Sequence, residues 1–148
     1  IKKFDNQKLK TIGLEGEQFV ISQLKEKIVC DIHGRINHVS LTNDTLGYDI
    51  LAPSINLNNN NVKLEVKTSV QQGRNFTFFI SRNEYEKGVN DPGWFLVFVK
   101  KINGNYSLLG HARTTIFSEF LPEEVDDNVR WQSLNITIDP NATNQGLP

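Results

Sequence analysis

The chain has 148 residues, with 16 basic and 17 acidic side chains for a formal charge of −1, one cysteine and no methionine. The length fits one domain, and the charge balance excludes a strongly basic protein that coats nucleic acid. The lone Cys30 excludes both an intramolecular disulfide and a cysteine-rich zinc site, and no apolar run approaches a membrane span.

With no signal peptide in view, these features predict a cytoplasmic protein with no membrane partner. A start at Ile1 and the lack of methionine predict a piece of a longer polypeptide, so that other domains of the same chain are partners. Charge is uneven. Lys2, Lys3, Lys8 and Lys10 crowd the start, whereas Glu119, Glu123, Glu124, Asp126 and Asp127 crowd a late segment.

The first predicted element is a helix over 11–27, with Leu14, Ile21, Leu24 and Ile28 on one face. Glu17 falls in that apolar stripe, and a carboxylate there requires a partner. A strand follows over 35–42 and a second over 48–52. The asparagine run Asn58 to Asn61 lies in a hairpin loop leading to a third strand over 62–69. After a polar loop, Gln71 to Arg74, comes a short apolar strand over 76–80.

Ser81 and Glu84 form a capping box that opens a helix, which Gly88 is placed to end. Strands over 94–100 and 106–111 are joined by Asn103-Gly104, a strong hairpin turn. A short helix over 114–120 and a last strand over 131–138 precede a loose tail, 139–148. The fold class is α/β (α+β): a mixed central β-sheet flanked by helices, in one domain over 1–148.

Chemistry concentrates on the third strand. Side chains alternate across a strand, so Val62, Leu64 and Val66 face one side while Glu65 and Lys67 face the other. Alone, a Glu-x-Lys pair on a strand reads as a solvated salt-bridge face. Asp49 on the preceding strand and Glu17 on the helix change that reading. Two carboxylates suit a hard divalent cation such as magnesium, with manganese as a substitute, and the backbone carbonyl of Val66 is a further candidate ligand. Such an ion acidifies water and neutralises charge on a phosphoryl transition state. Lys67 is then placed to position the attacking water or to stabilise developing charge. Glu17 has three open roles: binding the metal, orienting a water, or pairing with Lys67.

Asp49 followed by Glu65-Val66-Lys67 resembles the PD-(D/E)xK motif of the restriction-endonuclease-like nuclease superfamily, with Gly16-Glu17 matching its helical glutamate. Tyr48 stands where that motif often has proline. More narrowly, Gly16-Glu17, Gly47-Tyr48-Asp49-Ile50, Glu65-Val66-Lys67-Thr68 and Phe79-Ile80-Ser81 with Glu84 resemble the nuclease-like domain at the C-terminal end of NO VEIN-type proteins. The resemblance spans residues 14–99. It implies a restriction-endonuclease-like sheet, a magnesium-dependent phosphodiesterase site and a DNA substrate, within a restriction or defence protein. Cutting both strands of a duplex needs two sites or two events, which makes a homodimer the expected assembly.

Around that core, Lys63, Thr68, Ser69, Arg74 and Arg82 are candidate phosphate contacts. Strand-end hydroxyls and exposed cations have ordinary structural explanations as well, and the capping box accounts for Glu84 without catalysis. His33, His38 and His111 lack metal-ligand spacing, although His38 lies near the site if its strand neighbours Asp49. Two rival functions stay open: an inactive nuclease-fold DNA-binding module, and a protein-interaction domain.

Overall fold

A computed structural model describes residues 2–123 and 130–148, with side chains from residue 6 onward. The acidic residues Glu124, Asp126 and Asp127, and the side chains of Lys2 and Lys3, lie outside the described set.

The first helix, α1 (Lys2–Lys27), begins well before Thr11. Its buried line is Ile12, Gly16, Val20 and Leu24, extended by Ile28 just past its end. Leu14 is 37% exposed and does not belong to it. A strict four-residue spacing of apolar side chains was masked because one member of the line is a glycine. A Cβ at Gly16 would fall 1.9 Å from Thr68 Oγ1, so only glycine lets the helix backbone lie this close to the sheet.

The predicted strand over 35–42 is mostly something else. A 3-10 helix, Cys30–Arg35, leads into a two-residue strand β1 (Asn37–His38) and a second 3-10 turn, Val39–Leu41. Strand β2 (Ile50–Pro53) starts two residues later than its sequence pattern. The asparagine loop, with Asn58 and Asn59 at positive φ, turns the chain into β3 (Asn61–Ser69). Next come β4 (Phe76–Ser81), the helix α2 (Arg82–Asn90), β5 (Trp94–Ile102) and β6 (Asn105–Ala112). The β5–β6 turn holds Asn103 at φ 52° and Gly104 at φ 79°, the left-handed pair a tight hairpin demands. A 3-10 segment, Thr114–Phe120, precedes β7 (Ser133–Ile138).

The expected mixed sheet with helices is present. Five strands run in the order β1-β2-β3-β5-β6, and β4 pairs with β7 in a separate two-stranded sheet. All neighbours in the larger sheet are antiparallel except β3 and β5, which are parallel. Alternation along the central strands splits the core. Val62, Leu64, Val66, Val97 and Val99 pack with Val20 and Leu24 of α1, while Trp94, Leu96 and Phe98 pack with Phe76, Phe78 and Ile80 of β4. Phe98 meets Phe76 and Phe78 at ring separations of 5.2 and 5.3 Å. Each such ring, fully withdrawn from water, contributes on the order of 2 kcal/mol. Burial on both faces explains the unbroken apolar run of β5.

Two further expectations are corrected. Gly88 does not end α2; it is buried inside it, where a Cβ would lie 2.6 Å from the Trp94 ring. The tail over 139–148 is docked, not loose. Leu147 is 1% exposed in the core, Asn144 bridges to His111, and the carbonyls of Leu147 and Pro148 accept from Asn56 and Ile55. Composition hid this, because a polar tail with one well-placed leucine looks like a disordered one. Among the described residues no helix is long and apolar enough to cross a membrane.

Candidate active site at the open edge of the third strand

The last pair between β2 and β3 is Ile50 with Leu64. Beyond it, among the described residues, the second half of β3 has no strand on that side, and Asp49 fills the gap. Its backbone N–H donates to the Leu64 carbonyl at 2.8 Å, and its Oδ2 accepts from the Val66 N–H at 2.9 Å. The N–H and C=O of one strand residue point the same way, so the Val66 carbonyl opens on this edge too. Asp49 is therefore fixed, by backbone bonds on one side and a side-chain bond on the other, beside the segment that carries Glu65 and Lys67.

Lys67 donates from Nζ to Glu65 Oε1 at 3.2 Å and to Glu84 Oε1 at 2.9 Å. Glu84 also accepts from the Ser81 N–H at 3.0 Å, and Ser81 Oγ accepts from the Glu84 N–H at 3.1 Å. The capping box thus exists as read, but it does not exhaust Glu84: one carboxylate oxygen closes the helix cap and holds the strand lysine. Sequence reasoning set this residue aside because the cap was a sufficient explanation for it. The available signal was position, since the capping box follows directly on β4, the strand next after β3 in the chain.

Glu17 has found its partners, and they are not Lys67. His38 donates from Nε2 to Glu17 Oε1 at 2.8 Å, and Ser40 donates from Oγ to the same oxygen at 2.5 Å. The Ser40 N–H in turn donates to the Asp49 carbonyl at 3.2 Å. His38 and Ser40 flank the Asp49 segment, and they supply the polar company that a carboxylate next to the buried helix line requires.

The cluster carries more acid than base. Burial, followed by the neighbouring Glu17 carboxylate, pushes Asp49 up to about 7 against the opposing pull of the Val66 N–H and Lys67. Burial also holds Glu65 well above the usual carboxylate range; Lys67 opposes this, while Asp49 and Glu84 add to it. Glu84 goes the other way. Burial raises it, but Lys67, a hydrogen bond with Glu65 and the Ser81 N–H outweigh burial and lower it. Burial works against the Lys67 ammonium, yet Glu65 and Glu84 prevail and raise it.

The donors at the edge are therefore the carboxylates of Asp49 and Glu65 and the Val66 carbonyl, all oxygen. Among the described residues no three His, Cys, Asp or Glu side chains form a ready metal-holding group. The chemistry of the set nonetheless fits a hard cation. Two buried carboxyls that burial and nearby carboxylates push towards their protonated forms are groups from which a divalent ion displaces protons.

The other candidates have different surroundings. Lys63 bonds Asp91 and lies 5.8 Å from the centre of the Tyr48 ring. Arg74 pairs with Asp139 at 3.0 Å on the surface. Arg82 pairs with Glu86 at 3.0 Å and lies 4.7 Å from the Trp131 ring centre. Ser69 Oγ accepts from the Gln71 N–H, and Thr68 Oγ1 is buried beneath Gly16 with no hydrogen-bond partner. His33 and His111 bond the carbonyls of Ile28 and Gly146.

The family model described as Protein NO VEIN, C-terminal matches residues 16–109. That interval holds Glu17, Asp49, Glu65, Lys67 and Glu84 and leaves out β7 and the docked tail. No curated protein and no solved structure matches the chain.

Proposed function

The chain belongs to the NO VEIN C-terminal family, and from that premise we propose that it is a magnesium-dependent DNA endonuclease domain of the PD-(D/E)xK type, working within a larger restriction or defence polypeptide. The observation that carries this reading is the bond from the Val66 N–H to Asp49 Oδ2 at 2.9 Å. It sets a carboxylate from before β2 against the residue between Glu65 and Lys67, so a sequence-distant acid and a Glu-x-Lys pair occupy one strand edge.

Asp49, Glu65 and the Val66 carbonyl are the residues to hold magnesium, which when bound supplies positive charge to a phosphodiester and acidifies water. Lys67 presents an ammonium to the phosphate as negative charge builds on its oxygens. Glu84 steers that ammonium from the other side. Glu17, held by His38 and Ser40, stands near Asp49 and adds negative charge that favours cation binding. The oxygen-only donor set also accommodates manganese.

The test is plasmid DNA incubated with the protein and magnesium or manganese, beside Asp49→Ala and Lys67→Ala. The wild type nicks or linearises the plasmid, EDTA abolishes this, and each variant loses at least about a hundredfold in rate. Equal nicking by all three proteins overturns the site. Binding of DNA without any metal-dependent cleavage would instead favour an inactive module of the same fold. The double pairing of Lys67 with Glu65 and Glu84 and the lack, among the described residues, of a ready group of three metal-holding side chains stand on that module's side.

A further inference from the structure

A groove of about 440 Å³, with Lys67 in its lining, lies between α1, the end of β3 and the outer face of β4. Its size is within the roughly 300–1,000 Å³ of small-molecule sites. Its walls are apolar: Leu9 on α1 is 62% exposed, Val70 after β3 is 45% exposed and Phe79 on β4 is 66% exposed. Hydrogen-bonding groups of Ser69, Gln71 and Asn135 also line it, and so does Lys67. Among the described residues no carboxylate lines it.

Phe79 is the anomaly. Along β4, Phe76, Phe78 and Ile80 turn inward to the core while Thr77, Phe79 and Ser81 turn outward. Across the pair, Thr77 opposes Thr137, Phe79 opposes Asn135 and Ser81 opposes Ser133. This outer face is made of hydroxyls and an amide apart from one large aromatic ring. Packing does not call for that ring, since the buried side of the strand already carries the core. A ring beside an amide, opening on a groove lined by both apolar and hydrogen-bonding groups, matches a planar ligand with apolar faces and hydrogen-bonding edges. That is the description of a nucleobase whose complement has been removed.

We propose that this groove holds an unpaired nucleobase stacked on Phe79, with its edge read by Asn135, next to the phosphodiester at Lys67. The substrate is then single-stranded or locally opened DNA. The choice of ligand rests on the nuclease reading above; the groove itself does not. A base inside an intact duplex shows neither its faces nor its pairing edge, so a closed duplex cannot use Phe79.

The experiment measures affinity for a fluorescein-labelled 15-nucleotide oligo(dT) and for a duplex of equal length, in EDTA so that no metal-dependent cleavage intervenes. Phe79→Ala, Phe79→Trp and Asn135→Ala are compared with wild type. The outward position of Phe79 keeps these changes away from the core, and unchanged circular dichroism and melting temperature check this. The wild type binds the single strand more tightly than the duplex. Phe79→Ala lowers single-strand affinity about tenfold and leaves duplex affinity unchanged, while Phe79→Trp retains it. Single-strand affinity indifferent to both Phe79→Ala and Asn135→Ala overturns the proposal. Plasmid cleavage by wild type together with that indifference removes the groove and leaves the nuclease standing. Phe79-dependent binding of oligo(dT) by a protein that cuts nothing supports the groove and removes the nuclease.

Discussion

Asp49 sits in an environment that charges it at a cost. Its ordinary value is 3.8, and in the folded protein burial and Glu17 push it up to about 7. Below the unfolded value the carboxyl is protonated in both states and its contribution to stability is full. As pH rises towards and through about 7, the unfolded chain has already lost the proton while the folded chain still holds it, so that contribution drains away. Asparagine in its place keeps an acceptor for the Val66 N–H and has no charge at any pH. In EDTA, Asp49→Asn should therefore melt close to wild type at pH 4 and a few degrees higher at pH 8. Parallel thermal melts measure this, and a variant less stable than wild type at pH 8 would show that Asp49 is not a strained carboxylate. That Asp49 lies beside the strand of Glu65 and Lys67 was legible, because a hairpin between the two segments brings them together. Glu84 was not, because its cap was a sufficient local explanation, and Ser40 carried no signal of its own; His38 was placed near the site on the condition, met here, that its strand neighbours the Asp49 segment. Their roles appear only once tertiary packing brings α2 and the β1 segment to the same strand edge.

At the level of elements, the site depends on how closely α1 lies on β3. Gly16 sets that distance through its contact with Thr68, and Glu17 is the next residue, so helix placement and carboxylate placement are one problem. Alanine at position 16 gains roughly 1 kcal/mol of helix propensity but drives a methyl into Thr68. Gly16→Ala should be destabilised by about 1–3 kcal/mol in urea melts, and Thr68→Ala in the same chain should recover part of the loss. Additive losses in the double variant would mean that the two residues do not meet. Thr68 permits a second check. Its buried hydroxyl has no partner, and such a group costs about 1–3 kcal/mol. Thr68→Val keeps the shape, removes the hydroxyl, and should raise stability by about 1 kcal/mol without lowering plasmid cleavage. A loss of cleavage would return Thr68 to the set of phosphate contacts. Strong periodicity made most elements readable: β3, β5 with β6 and their Asn103-Gly104 turn, and the cap of α2 at Ser81. The stretch over 35–42 misled because its alternation reflects a short bridge between two 3-10 turns, and propensity alone does not separate these from a strand.

Across the whole molecule, the chain closes on itself through its last residues. Leu147 enters the same core as Val20 and Leu24 of α1 and Val62, Leu64 and Val66 of β3. Ile55 and Asn56, in the loop between β2 and β3, bond the carbonyls of Pro148 and Leu147. The tail therefore braces both the hairpin that presents Asp49 and the apolar side of the strand that presents Glu65 and Lys67. The tail's polarity predicted a loose end, since nothing local distinguishes an anchoring leucine from a stray one; only its place in the core does. Leu147→Ala empties that position and should cost about 2–4 kcal/mol of unfolding free energy. Removal of residues 145–148 should cost at least as much, because it also deletes the carbonyls that hold Ile55, Asn56 and His111. If the brace reaches the site, both variants will lose cleavage at temperatures well below their melting points, and hydrogen exchange at Val66 and Asp49 will quicken with it. Stability equal to wild type in the truncated chain would show that the tail adds nothing to this core, and cleavage preserved in a destabilised Leu147→Ala would separate folding from the geometry of the site.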